Sequence, residues 1–394
     1  MPWKTRSQQE QRYELIRLMM RREHTVQELC ERFKVSRKTA YKWLERYRTG
    51  RLRGLADQSR RPRRLRGRTS GLWLSRMRQL RRRRPTWGAR KLRHVLGERY
   101  GRAGLPAVVT WSRWLKRWGM VARRRRYRRG PVVLSGGLRP AVRNNEVWTV
   151  DFKGWYQTGD GQRVDPLTVR DLYSRYGLGI RLLTCQSIRE VQRAICKIFR
   201  QYGLPERIRS DNGTPFGGGG PTGLTRLSAW WVKLGIEVEF IRPGCPYENG
   251  AHEQFHRVYQ AEVVPQPAQR RRGQQQRSDR WLRFYNEERP HEGLGMEVPK
   301  AIYRPSQRRL PPQIQPWTYP AGWNRRWVKG SGEICWHGQR RFIGEAFAND
   351  YVGLKPTAMG CWEVYFGPKL IGELVENDSA NIRLARYRRP RPAR

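Results

Sequence analysis

Acidic residues are scarce in this sequence. Asp and Glu number 33 against 82 Lys and Arg, a formal net charge of +49 over 394 residues. So strong an excess of one sign excludes a basic partner and points to nucleic acid or an anionic membrane. Long apolar runs are missing as well. No segment approaches the ~20 apolar residues that a membrane span needs. The first residues, MPWKTRSQQEQRY, lack the apolar stretch of a signal peptide. The expectation is a cytoplasmic, nucleoid-associated chain with no membrane partner. Cysteine is sparse and scattered: Cys30, Cys185, Cys196, Cys245, Cys335 and Cys361 include no C-x-x-C pair. That argues against a structural zinc or a disulfide scaffold.

What is present is base, unevenly placed. Residues 1–145 hold 43 Lys and Arg and 8 acids, a net of +35, and the remaining 249 residues net only +14. A compositional taste for Arg explains Arg in place of Lys, but not this placement. The length predicts several domains, and 17 Trp supply material for their cores.

Residues 1–50 read as a helix-turn-helix domain. The first helix carries a stripe of Leu15, Ile16, Met19 and Met20. The second opens on the capping box Thr25-Val26-Gln27-Glu28. Ser36 caps a third helix that buries Ala40, Leu44 and Tyr47 and turns Arg37, Lys38, Tyr41, Lys42 and Arg46 outward. A basic face on the last helix suits the major groove of DNA. Residues 51–70 form a basic linker. A second helix-turn-helix domain spans 71–121, with Val108, Trp111, Leu115 and Trp118 inward and Arg113, Lys116 and Arg117 outward. Another basic linker, 122–145, includes the run Arg123–Arg126 with Arg128 and Arg129.

Residues 146–305 alternate between strand and helix signals. Strands are expected at 147–152, 164–173, 177–183, 207–209 and 236–241, with helices between Ser187 and Gly203, near 224–234 and after Gly250. This predicts an α/β domain with a mixed sheet. Prolines 305, 311, 312 and 316 mark a linker. Short Gly-punctuated apolar runs then predict a small β-barrel within 306–380, and 381–394 is a basic tail.

Within so basic a chain, three acids stand out. Asp151 sits at the end of an apolar strand in VWTVDFKGW, a costly place for an unpaired charge. Asp211 follows a strand directly in RSDNGTPF. Glu253 lies on a helix in YENGAHEQFH. Carboxylates converging from distant elements are the donors that hard divalent metals take, and such metals cut and join phosphodiesters. Glu248, in the loop before the helix, competes for the third place. His252 and His256 flank Glu253; helix packing or a DNA contact is the plain account, although His256 lies one turn on and faces the same way. Asp160, Asp165 and Asp171 read as surface or strand-end acids, with Asp171 close enough in the sheet to support the site. Arg289 and His291 are candidates for DNA contact.

WTVDFKG, SDNGTPF, RPGCPYENGAHEQFHR, FYNEERPHEGLG with Pro299 and Tyr303, and the linker GLADQSRRPRR together resemble bacterial insertion-sequence transposases with an integrase catalytic core. These belong to the DDE transposase and retroviral-integrase superfamily. The resemblance covers most of the chain. It implies a ribonuclease-H-like core, magnesium or manganese as cofactor with two ions per site, and Asp151, Asp211 and Glu253 as catalytic and metal-binding triad. The superfamily separates its second and third acids by about 35 residues, whereas 41 lie between Asp211 and Glu253 and 36 between Asp211 and Glu248. Glu253 is preferred because it follows Gly250 by three positions on a helix, and the surplus falls in the loop Gly217–Gly223.

The resemblance implies a DNA transposase. It would bind terminal inverted repeats, hydrolyse the element ends and join the 3′-hydroxyl to target DNA. Its partners would be double-stranded element ends and target, with the chain a homodimer or higher oligomer on DNA. The alternatives are a catalytically silent, transposase-derived DNA-binding regulator, and a nuclease that cuts without joining.

Overall fold

The computed structural model describes residues 7–59, 69–121, 138, 140–242, 245–357, 360–375 and 382–384. The Arg-rich run after Val121, residues 60–68 of the first linker and nearly all of the basic tail lie outside the described residues. The chain divides into two compact units, Met1–Arg68 and Thr69–Arg394.

The first unit holds α1 (Gln8–Arg21), α2 (Val26–Arg32) and α3 (Arg37–Gly54). Each start is capped. Ser7 with Glu10, and Thr25 with Glu28, form reciprocal capping boxes, and Ser36 accepts the Thr39 N–H. Each cap contributes about 1 kcal/mol. Leu15, Ile16, Leu18, Leu29, Ala40 and Trp43 form the core. Met20 is exposed, and Leu18 takes the place expected for it. In α3 the large buried ring is Trp43, with Leu44 and Tyr47 only partly covered. Positions 15 and 18 lie one turn apart on the face that meets α2 and α3, which the wider stripe read from sequence blurred.

The second unit begins with α4 (Gly71–Arg83), α5 (Ala89–Tyr100) and α6 (Val108–Arg117). Trp73, Met77, Leu92, Leu96, Trp111 and Leu115 pack between them. These helices pack on the α/β region that follows. Trp87 stacks on Phe284 at 6.1 Å, Arg84 lies 3.8 Å over the same ring, and Thr86 donates to Glu262.

The α/β region runs β1 (Val147–Phe152), β2 (Tyr156–Gln157), β3 (Arg163–Asp171), β4 (Gly177–Leu183), α7 (Ile188–Tyr202), β5 (Arg207–Ser210), α8 (Arg226–Lys233), β6 (Glu237–Phe240), α9 (Gly250–Glu262), α10 (Arg271–Glu287) and α11 (Pro299–Ile302). β1, β3 and β4 pair antiparallel, while β1–β5 and β5–β6 pair parallel. This is the expected mixed sheet. Val191, Ile195, Ile198 and Phe199 of α7 cover one face with α8. Phe255 and Tyr259 of α9 and Trp281, Leu282 and Tyr285 of α10 pack against Ile180 and Leu182.

The last part is β7 (Asn324–Val328), β8 (Glu333–Trp336), β9 (Gln339–Phe342), β10 (Asp350–Pro356), β11 (Cys361–Phe366), β12 (Lys369–Val375) and β13 (Arg383–Leu384). Five strands form an antiparallel sheet in the order β13-β12-β11-β10-β7, and β8 and β9 form a separate hairpin. The expected antiparallel strands are there. Among the described residues no pairing closes the sheet into a barrel, because β7 and β13 each pair on one side only.

Candidate active site

β1 and β5 run parallel with Thr149 opposite Arg209. Two residues further along each chain stand Asp151, still in β1, and Asp211, the first residue past β5. Equal steps on neighbouring strands keep side chains on one face, ~4.8 Å apart. Register alone therefore brings the two carboxylates together. Asp211 accepts a hydrogen bond from the Gly213 N–H at 3.3 Å. A Cβ on Gly213 would lie 3.2 Å from Asp211 Oδ2, so glycine leaves the carboxylate room.

Glu253 stands exposed in the first turn of α9, whose N-terminal dipole favours an acid. The Asp151 carboxyl responds to both neighbours. Burial, then the negative charge of Asp211, then that of Glu253 push its pKa from 3.8 up to about 7. Burial also raises Asp211. Asp151 thus feels the charge of both other acids, and carboxylates are the donors that a hard divalent cation takes.

Buried polar contacts pin α9 to the sheet. His252 is fully buried; its Nδ1 lies 2.7 Å from Thr149 Oγ1 and its Nε2 2.6 Å from Thr168 Oγ1. His256 Nε2 also reaches Thr168 Oγ1, at 2.7 Å. Arg170 donates to the Ala251 carbonyl. Asn249, at the helix N-cap, donates through Nδ2 to Asp151 Oδ2 at 3.1 Å. Burial first, then Lys153 and Arg170, lower His256 to about 3; burial first, then His256 and Arg170, hold His252 well below its ordinary value. Both rings are neutral at physiological pH.

The other acids fall elsewhere. Glu248 turns away into its own loop, where Oε2 accepts the Arg242 N–H at 2.8 Å and Oε1 accepts Arg242 Nε at 2.6 Å. Asp171 does not support the site. It pairs with Trp148 at the far end of β1, buried, and takes the N–H of Asn145 and both donors of Ser174. Asp165 is buried against Arg163 and Gln186, and Asp160 caps its own turn through Thr158 and Gln162. Arg289 and His291 are not surface residues for DNA. Both are buried, Arg289 Nη1 against Glu262 at 2.7 Å.

On α3, Arg37, Lys38, Tyr41 and Lys42 are exposed, while Arg46 is half-buried over Trp43 at 5.0 Å. On α6, Arg113, Lys116 and Arg117 are exposed, with Arg117 5.2 Å over Trp114.

Family models match four stretches of the chain. A helix-turn-helix domain matches residues 11–63, an integrase core domain matches 141–246 and, by a second model, 234–299, and the C-terminal domain of IS481 family transposases matches 324–375. The chain carries an integrase core. The core places it in the DDE transposase and integrase superfamily, and its mixed sheet between helix layers is the ribonuclease-H-like fold. Two insertion-element proteins are relatives. The IS407 uncharacterized 31.7 kDa protein of Burkholderia multivorans is 28% identical over 214 residues, 54% of this chain and 74% of that one. The IS476 uncharacterized 39.2 kDa protein of Xanthomonas euvesicatoria is 28% identical over 192 residues, 47% of this chain and 52% of that one. Among solved structures, the HTLV-2 integrase catalytic core domain in complex with magnesium is 14% identical, with a TM-score of 0.31, over 41% of this chain and 99% of that chain. The simian T-cell lymphotropic virus intasome in complex with a PP2A regulatory subunit is 13% identical, with a TM-score of 0.35, over 75% and 97%.

Sequence reading missed the support around the integrase core's acids: Asn249, Thr149, Thr168 and Arg170. Asn249 and Thr149 lie inside the quoted motifs. Thr168 and Arg170 carry no local signal, since only the β1–β3 register brings them to α9.

Proposed function

We propose that the integrase-core chain is a DNA transposase that hydrolyses element ends and joins the freed 3′-hydroxyl to a target phosphodiester. One observation carries the reading: Asp151 and Asp211 stand level on adjacent parallel strands, and Glu253 is close enough that its charge raises the Asp151 pKa. Asp151, Asp211 and Glu253 are the metal-holding residues of this proposal. An all-carboxylate donor set fits a hard cation. Magnesium or manganese, two ions by the superfamily's mechanism, would supply Lewis acidity at the scissile phosphate and make water a nucleophile near neutral pH. The chain itself holds the acids rigidly. Asn249 orients Asp151, and the His252–Thr149 and His252–Thr168 contacts fix the helix that carries Glu253.

The exposed bases of α3 and α6 would read the terminal inverted repeats, and target DNA would enter over the acids. A homodimer or higher oligomer on DNA would engage both ends. A cytoplasmic, nucleoid-bound setting accords with the charge; among the described residues no helix is long and apolar enough to cross a membrane. The test is to incubate the full chain with its flanking genomic ends and Mg2+. Nicked ends and joined products are expected. Binding without either product leaves the silent regulator, and nicks without joining leave the nuclease.

A further inference from the structure

We infer that His256 is a further ligand of the metal held by Asp151, binding through Nδ1. The inference rests on the proposed triad and deepens it.

Hydrogen-bond accounting fixes which nitrogen is free. Thr168 Oγ1 lies within reach of three groups: the Asp151 carbonyl at 2.9 Å, His252 Nε2 at 2.6 Å and His256 Nε2 at 2.7 Å. A hydroxyl has one hydrogen and two lone pairs. The carbonyl can only accept, so it takes the hydrogen. Both imidazoles must then donate from Nε2. In a neutral ring the other nitrogen carries a lone pair. For His252 that lone pair accepts from Thr149 Oγ1 at 2.7 Å. His252 is thereby spent as a strut, although its ring lies in the same cluster of potential donors, whose atoms all fall within 4.8 Å.

His256 differs. Its Nδ1 lies 4.0 Å from Asp151 Oδ2, and the side chain is 12% exposed on the edge of the site. The Nδ1 lone pair and the Asp151 carboxyl face each other there, and a bound metal would take the place of any proton between them. First-row and magnesium ions hold nitrogen and oxygen at about 2.0–2.2 Å, so one ion can reach both atoms. The Nε2–H···Thr168 bond holds the ring in that orientation, as a second hydrogen bond does for metal-bound histidines. Asn249, buried and with its Oδ1 unpartnered, also holds Oδ2, at 3.1 Å.

A nitrogen donor among carboxylates shifts preference toward Mn2+ and Co2+ relative to Mg2+. The decisive readout is magnetic. Mn2+ is titrated into the full chain without DNA, and pulsed electron paramagnetic resonance is used to look for 14N modulation. Modulation is expected in the wild type and should vanish in His256→Gln and His256→Asn, with Mn2+ affinity falling at least about 10-fold. Two variants guard against one that misfolds, and the wild-type spectrum alone can decide. Mn2+ bound without nitrogen modulation, or modulation that survives both substitutions, overturns the His256 assignment and leaves the triad standing. If Asp151→Asn binds Mn2+ as the wild type does, the triad fails and this inference with it.

Discussion

In the proposed reaction, Asp151 is the residue on which the chemistry turns. Asp151→Asn keeps its shape and removes the charge that a metal needs. It should abolish nicking and joining in a plasmid-end assay while repeat binding persists; wild-type nicking by this variant would sink the site. The same residue predicts a pH dependence. Its pKa rises from 3.8 to about 7 in the fold, so the folded chain favours the protonated form. The associated stability is fully present below about pH 4 and is lost as pH rises through about 7. Thermal unfolding of the metal-free chain should show this loss, and the Asn variant should lack it. A parallel decline in both proteins would assign it to other groups. Above that window Mg2+ should restore stability by mass action. The third acid has its own test. Glu253→Gln should be inactive. Glu248→Gln should keep activity, at a stability cost of about 1.5–3 kcal/mol for the weakened Arg242 bonds. The reverse pattern in strand-transfer assays would move the third ligand into the loop. Asp151 was legible because a carboxylate ending an apolar strand conflicts with its surroundings, whereas Glu253, exposed in a first helical turn, stood out only through its motif after Gly250. Asp171 was misjudged because sequence gives parity along a strand but not which end of it faces the site. Arg289 and His291 were misjudged because a charged motif reads as surface until a partner such as Glu262 is known.

At the scale of elements, strands and capped helices were readable and their partners were not. The box at Thr25, the capping Ser187 and the apolar run of β1 are local signals, and all three elements formed where expected. α10 was not anticipated, because RRGQQQRSDRWLRFYNE is mostly polar and its apolar residues meet β4 and α9 only in three dimensions. Among the described residues the antiparallel strands are present without barrel closure, for the same reason: closure depends on pairing that no single strand encodes. α3 carries the element-scale prediction. Arg37, Lys38 and Tyr41 stand exposed at its N-terminal half, the part of a recognition helix that meets base edges. Alanine at Arg37 or Lys38 should cost roughly 1–3 kcal/mol on the repeat and relax sequence preference. Arg46 lies against Trp43 and should matter less for preference. Equal losses on repeat and scrambled duplexes, measured by anisotropy, would reduce these residues to phosphate contacts.

For the whole molecule, charge and compactness divide differently. The sequence suggested one basic N-terminal region, residues 1–145. The compact units part at residue 68 instead, because α4–α6 pack on α10 through Phe284. Residues 69–145 hold 22 Lys and Arg and a single acid, Glu98. Most of the basic excess thus belongs to the unit that also carries the acids, while the helix-turn-helix of residues 11–63 belongs to the other. Grip and reading should therefore separate. Each phosphate neutralised releases counterions and contributes about −0.9 to the slope of log affinity against log salt. A chain of residues 69–394 should keep a steep slope on any duplex, since its bases remain. It should lose most of the full chain's preference for the repeat over a scrambled sequence, since α3 is gone. Anisotropy titrations of both chains against both duplexes at several salt concentrations measure the two quantities independently. A truncated chain that still discriminated as the full chain does would move sequence reading to α6. One that lost its salt slope would show that the bases of residues 69–145 do not face DNA.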